Sequence, residues 1–388
     1  MAKKKIGLLV PDLQSGGAER VISIISNLLS NEYEVYFFLF DSNKISYKYS
    51  GTLIDLNSKA KGNILIKILN RIIRIVKLSY YKRKLKLDTV ISFLHAANVV
   101  NADSNGRAKK VLSCRGYRDF VKNSNRYYKL LKKSDLMLVQ TQRMKNEFLK
   151  KFEINEDKIQ VLENPYESDT IKKLSLQAIE DDVQKFIDKH RTICSVGTFK
   201  KDKGFWHLVQ AFCKLKKTLP DAGLIIIGHR GEMEEQIKQM VTESSYSEDV
   251  LFLGYQENPF KYISKCDLYV SSSLHEGFPN SLVEAMLCGA PVLSTDCKVG
   301  PAEILGKENI EQEIWEINFE KYGVLVPALE EEVSYSINRI SEKGKLLVEA
   351  MTVLLSNEGM RKNYKKVGRE RACEFDVKHF YNKINRII

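Results

Sequence analysis

LYVSSSLHEGFPNSLVEAMLCGAPVLST, residues Leu268 to Thr295, decides the fold. Leu268 to Ser273 is an apolar, β-rich run closing on small polar residues, which predicts a short buried strand. A polar loop follows from Leu274 to Asn280 and contains Gly277 and Pro279. Ser281 to Cys288 predicts a helix stopped by Gly289, and Val292 to Thr295 a second strand behind Pro291. The unit is β-loop-α-β, and parallel-sheet proteins bind ligands in the loops outside the C-terminal strand ends. It holds two carboxylates, Glu276 in the loop and Glu284 in the first turn of the helix, with seven residues between them.

Ser281-x-x-Glu284 also fits a helix capping box, which needs no ligand. That reading leaves Glu276 unexplained, beside a glycine whose backbone can approach a ligand closely. The N–H groups at the helix start form an anion site, and a carboxylate inside the same helix can take two hydroxyl donors from a ribose. Phosphate and ribose together point to a nucleotide. The run Glu276-Gly277-Phe278-Pro279-Asn280-Ser281-Leu282-Val283-Glu284 resembles the E-x7-E signature of the retaining GT-B glycosyltransferases called family 4. GAPVLSTDCKVGPAEIL, Gly289 to Leu305, is similar to the continuation in members that build bacterial surface glycans.

The 388 residues suit two domains, and an apolar content of 44% excludes disorder as the main state. Seven cysteines without a C-x-x-C pair read as buried thiols of a reducing compartment, neither disulfides nor zinc ligands. The opening MAKKKIGLLVPD is too short in apolar residues for a signal peptide, and no stretch reaches the length of a spanning helix. Charge is uneven. Residues 1–150 hold 29 Lys+Arg against 11 Asp+Glu, a net of +18, which leaves −6 for the rest of a +12 chain. A basic front half implies an anionic partner: a membrane face, a phosphorylated acceptor or nucleic acid.

Ile6 to Val10 predicts the first strand, followed by a loop with Gly16 and Gly17 and a helix from Val21 to Leu29, the geometry that cradles an anion on backbone N–H groups. The resemblance places that loop toward the donor diphosphate, across a cleft between domains. Glu34 to Phe40 is a second strand. Gly62 to Leu87 contains eight bases and no acid. Lys67, Arg71 and Arg74 share one helix face, and Leu65, Ile68, Ile72 and Val76 another. Two readings stand: an ordinary helix with a solvated basic face, or a membrane-surface helix that presents Lys67, Arg71 and Arg74 to anionic lipid while some aliphatics cover the sheet. Val90 to Phe93 leads to His95, which is either structural or, as the resemblance implies, close to the donor sugar or acceptor. Arg115, after the strand Val111 to Ser113, binds an acceptor anion or pairs with an acid. Glu163-Asn164-Pro165 ends the first domain.

In the second half, Thr192 to Val196 is a strand and Gly197-Thr198-Phe199-Lys200-Lys201-Asp202-Lys203-Gly204 its loop. The family places an arginine after this first glycine and a lysine before the later one, both on the diphosphate. Lys203 fits; Thr198 stands in the arginine's position. Gly228-His229-Arg230-Gly231 is one residue longer than the family's Gly-x-Gly turn. The resemblance places Tyr255, after the strand Val250 to Leu253, near the nucleobase. Helices are predicted over 331–356, 358–371 and Val377 to Ile387, the last crossing back to the first domain.

The predicted fold is α/β: GT-B, two Rossmann-like domains whose parallel sheets face each other across a cleft, with boundaries at 1–165, 166–371 and a terminal helix in 372–388. The resemblance implies transfer, with retention, of a hexosyl or N-acetylhexosaminyl unit from a nucleotide sugar, UDP-linked, to a growing lipid-linked glycan at the cytoplasmic membrane face. Glu276, Lys203 and His95 are the expected catalytic residues. Gly16, Gly17, Gly197, Thr198, Lys203, Tyr255, Gly277, Phe278, Pro279, Asn280, Ser281 and Glu284 are the expected donor contacts. No cofactor is expected, and no D-x-D stretch is placed to bridge a metal to the diphosphate. A nucleotide-sugar epimerase, a non-catalytic partner subunit and a nucleic-acid-binding module are the competing readings; the last lacks a recognised motif with interleaved aromatics.

Overall fold

The computed structural model describes residues 3–14, 16–43, 45–58 and 63–388; Ser15 of the Gly-Gly loop and Gly62 at the head of the basic stretch lie outside them. The chain divides into two compact units, Met1–Pro165 with Val377–Ile388, and Tyr166–Asp376.

The first unit contains β1 (Lys5–Val10), β2 (Glu34–Leu39), β3 (Thr52–Asp55), β4 (Thr89–Phe93), β5 (Lys109–Ser113), β6 (Leu136–Val139) and β7 (Ile159–Val161). They form one parallel sheet in the order β3-β2-β1-β4-β5-β6-β7. The central strands β1, β2, β4 and β6 are mostly apolar and buried because helices cover both faces. Phe37 joins one buried cluster and its neighbour Phe38 the other, on opposite sides of the sheet. The helix Val377–Asn385 belongs to this unit. Its Phe380 and Ile384 pack with Ile6, Leu8 and Ile25, and Lys383 Nζ lies 2.8 Å from the Glu163 carboxylate.

The second unit contains β8 (Arg191–Val196), β9 (Ala222–Ile227), β10 (Val250–Gly254), β11 (Leu268–Ser271), β12 (Val292–Thr295), β13 (Asn318–Glu320) and β14 (Gly323–Val326), in the order β10-β9-β8-β11-β12-β14-β13. Among the described strands of this sheet, β13 runs antiparallel and the others parallel. Ile225 and Ile226 again face opposite cores. Both units are therefore doubly wound, Rossmann-like α/β layers. Strand order reverses between β1 and β4 and between β8 and β11, and a parallel sheet opens its ligand crevice at such a reversal.

The helix expected over 331–356 begins only at Glu342, where Ser341 caps it by accepting from Gly344 N at 3.0 Å. Ahead of it, carbonyls are taken by side chains of another helix. Gln210 Nε2 donates to Ser334 O (2.8 Å) and Ser336 O (2.9 Å), and His207 Nε2 lies 2.8 Å from Glu330 O. This segment therefore gets its backbone partners from outside itself, which removes the need for a helical ladder.

Candidate active site

The reversal between β8 and β11 brings two loops together. After β8, Gly204 takes the left-handed conformation (φ 60°) and lies against the Ser272 carbonyl, where a Cβ would collide with backbone. Ser272 Oγ donates to Lys203 O at 3.0 Å, and Leu274 N donates to Asp202 O at 2.8 Å. These bonds lock the Lys203 turn onto the loop after β11. There Lys203 Nζ meets Glu276 Oε1 at 2.6 Å, and Ser273 Oγ donates to the same oxygen at 2.8 Å. Burial alone would push the Lys203 ammonium down. The Glu276 carboxylate outweighs that effect and holds it above the ordinary lysine value, so it is charged at neutral pH. The Lys203 stem packs over Gly197, whose Cβ position lies 3.3 Å from the lysine Cγ and Cδ.

The capping-box reading of Ser281 is not what forms. The helix runs from Asn280 to Leu287, its N-cap is Pro279, and no acid occupies its first turn. Glu284 therefore sits one residue further into the helix than expected, just past its first turn. It is buried at 5% exposure on the side chain's own helix. Asn280 Oδ1 accepts from Tyr166 Oη at 2.7 Å. Phe278, one of the expected donor contacts, has its ring buried in the core, edge-on to Phe375 at 5.3 Å, because the strand-to-helix turn folds it under the loop. Gly277 stays partly exposed beside Glu276, and Pro279 is buried.

Thr198 is exposed. Tyr255 is exposed too, after Gly254 at the end of β10, and its ring meets His229 edge-on at 4.9 Å. His229 was not among the predicted site residues. The extra length of its loop was the signal, but the pairing of β9 with β10 was needed to bring it to Tyr255.

In the first unit, Gly16 is extended and Gly17 begins the helix Gly17–Leu29 after β1. Glu19 folds back so closely that a side chain at position 16 would strike its carboxylate. At the end of β4, Leu94 holds a left-handed φ of 71°, unusual for leucine, and this turn presents His95 as the first residue of the helix His95–Asp103. The imidazole lines a cavity of about 440 Å³ with Arg71, Asp103, Arg126, Lys129 and Lys133. Its Nδ1 is buried and has no hydrogen-bond partner among the described residues. Burial lowers the His95 pKa, and Arg126 and Arg71 add to this against Asp119, so the ring is neutral at pH 7. Arg115 is tied to the strand ends: its Nη2 donates to Asn164 Oδ1, and its guanidinium lies 5.2 Å from the Phe93 ring.

The membrane expectation for Lys67, Arg71 and Arg74 needs the largest correction. In the helix Ile64–Lys84, Lys67 and Arg71 are exposed but Arg74 is buried, so the three do not share one outward face. Arg74 is 7% exposed, donates from Nε and Nη2 to Ser58 O (3.1 and 2.6 Å) and lies 4.1 Å from the Phe40 ring. Arg71 Nη2 meets Asp103 at 2.5 Å, and Lys77 Nζ donates to Leu56 O at 2.6 Å. Lys67 stays exposed. The aliphatics expected against the sheet point out instead: Leu65 72%, Ile68 53%, Ile72 52% and Val76 61% exposed. Long cationic stems bury well when their heads find carbonyls, and the loop Leu56–Ser58 supplies them.

A family model described as glycosyl transferases group 1 matches residues 177–318. An uncharacterized glycosyltransferase of Methanocaldococcus jannaschii is 31% identical over 348 residues, 84% of each chain. A Campylobacter jejuni protein, N-acetylgalactosamine-N,N'-diacetylbacillosaminyl-diphospho-undecaprenol 4-alpha-N-acetylgalactosaminyltransferase, is 28% identical over 387 residues, 96% of each chain. Among solved structures, Anabaena HepE in complex with UDP and glucose superposes with a TM-score of 0.73 at 17% identity, covering 100% of this chain and 99% of its own. The fold is thus shared with GT-B glycosyltransferases. With a glycosyltransferase at 31% identity along most of its length, this chain belongs to the glycosyl transferases group 1 family.

Proposed function

We propose that the protein transfers a hexosyl or N-acetylhexosaminyl unit, with retention and without a metal, from a UDP-sugar to a lipid-linked glycan. The Lys203–Glu276 pair at the β8–β11 reversal carries this reading: a charged ammonium and a carboxylate, locked by backbone bonds, at the strand ends where a donor binds. In the step we propose, the acceptor hydroxyl oxygen bonds to the sugar C1 on the face from which the diphosphate leaves. The C1–O bond to phosphate breaks, and the hydroxyl proton passes to the departing phosphate oxygen. No protein nucleophile is required. Lys203 and backbone N–H groups offset the charge that develops on the diphosphate. Glu284 holds the ribose, Glu276 the transferred sugar, and Tyr255 the base. Gly16 and Gly17 give the donor a further set of backbone donors. His95, neutral, offers an acceptor nitrogen to a sugar or acceptor hydroxyl.

The acceptor class rests on two supports. The cavity at His95 is lined by four cations against Asp103, which suits a phosphorylated acceptor. The Campylobacter relative bears the name of an enzyme acting on a diphospho-undecaprenol substrate. Among the described residues no helix is long and apolar enough to cross a membrane. We assign peripheral attachment at the cytoplasmic face to the outward aliphatics of Ile64–Lys84, whose exposure supports it.

Retention and metal independence are tested together by NMR of the anomeric coupling in the product and by transfer in EDTA. An inverted product, or activity lost to chelator and restored by Mn²⁺, contradicts the proposal. Glu284→Gln is expected to raise the donor KM strongly, and Glu276→Gln to act mainly on kcat. A double variant with near-normal transfer would falsify both roles. Release of an epimer from donor alone favours the epimerase reading, and nucleotide binding without transfer or hydrolysis favours a partner subunit.

A further inference from the structure

The position that the family fills with arginine holds Thr198, so one cation is missing from the proposed leaving-group site. The turn at the end of the neighbouring strand β9 lies directly over that position. Gly197 N donates to Ile227 O at 3.0 Å, Phe199 N donates to Arg230 O at 2.9 Å, and Met233 N donates to Phe199 O at 3.0 Å. Gly228 (φ 152°) presses on the Gly197 carbonyl and Gly231 (φ 141°) on that of Phe199, so a Cβ at either would strike backbone. The turn 228–231 thus straddles Thr198, with a glycine over each flank and Arg230 at its apex.

Arg230 is itself left-handed, with φ 60°, one of four described non-glycine residues with positive φ. A bulky residue in that conformation is uncommon, and such strain gathers at functional sites. Its backbone N is fixed by Glu234 Oε2 at 2.7 Å, while its side chain is exposed. Among the described residues the guanidinium has no hydrogen bond or ion pair. Strands β8 and β9 lie about 4.8 Å apart, less than the length of an arginine side chain. The Lys203 stem packs against the same Gly197, 3.3 Å from its Cβ position.

We propose that Arg230 is a catalytic residue that supplies the second cation to the donor diphosphate, replacing from β9 the arginine that Thr198 displaces. A planar guanidinium grips two non-bridging phosphate oxygens at once, which a threonine hydroxyl cannot do. The charge that grows on the leaving phosphate as the C1–O bond breaks is then shared between Lys203 and Arg230. The inference rests on the glycosyl-transfer reading and extends it.

The test uses the full chain with Arg230→Gly, Thr198→Arg and the two combined. Glycine suits the left-handed turn, so the fold is kept, and unchanged thermal melting checks this. UDP binding is measured by calorimetry and turnover with the UDP-sugar that the wild type uses best. Arg230→Gly is expected to lower turnover ~10²-fold and to weaken UDP. Thr198→Arg alone sets the reference turnover for the combined variant. Placed in the Arg230→Gly background, it should restore most of the loss, which a merely structural turn would not allow. Turnover within threefold of wild type for Arg230→Gly, or a loss that Thr198→Arg leaves unrepaired, overturns the assignment while leaving glycosyl transfer intact. A wild type that binds no UDP and turns over no UDP-sugar overturns both.

Discussion

Replacing Lys203 by methionine is expected to lower turnover ~10²–10³-fold, the usual effect of removing one preorganised contact to developing charge. Methionine keeps much of the stem that packs over Gly197, so the loss is one of charge more than of shape. The same change strands Glu276 with only the Ser273 hydroxyl on its Oε1, among the contacts described above. Breaking a fully buried pair costs about 3–5 kcal/mol. Here the cost falls below that, because the Lys203 side chain is 25% exposed and water can reach the pair. Stability and catalysis are separable in the double variant Lys203→Met with Glu276→Gln. Removal of the orphaned charge should recover most of the melting temperature and none of the activity. Thermal melts and initial rates on the same preparations give the comparison. If the double variant regains activity along with stability, the pair is a structural clip and the leaving-group role is lost.

Changing Leu65, Ile68, Ile72 and Val76 together to glutamine is expected to abolish binding to anionic vesicles. Full burial of such a side chain is worth about 1.5–3 kcal/mol. Even about 1 kcal/mol from each of four is about a thousandfold in partitioning. Because these side chains stand in water in the protein, their loss should leave thermal stability unchanged or slightly improved. Attachment through them should also persist at high salt, whereas attachment through lysines and arginines, worth ~1 kcal/mol each at a lipid surface, fades with screening. The cationic comparison set is Lys67, Arg83 and Lys84, all exposed. Arg74 is unusable, since its buried guanidinium holds Ser58 and glutamate there would break the domain. Flotation across a salt series reads the result. Binding that survives the glutamine variant and vanishes with salt would return the helix to an electrostatic role.

The sequence by itself determined the parts whose causes are local. Continuous apolar runs such as Ala222–Ile227 are strands covered on both faces, and the glycine-bearing loops after such strands are crevice loops. Thr141, directly ahead of the helix Gln142–Lys151, caps it by accepting from Met144 N at 3.1 Å. The positions of Glu276, Glu284 and Lys203 followed from such strings. Tertiary structure alone decided which face of Ile64–Lys84 turns inward. Periodicity separates an apolar face from a basic one but does not say which finds partners, and that depended on the carbonyls of Leu56 and Ser58. It also decided that Ser281 is not a cap, since the turn at Pro279 starts the helix one residue earlier. Thr198 and Arg230 show the same limit. They are 32 residues apart in the chain and belong to different loops, and only the parallel pairing of Val196 with Ile227 sets one over the other. A strand register is a property of two segments and the cores between them, so no reading of either segment alone contains it.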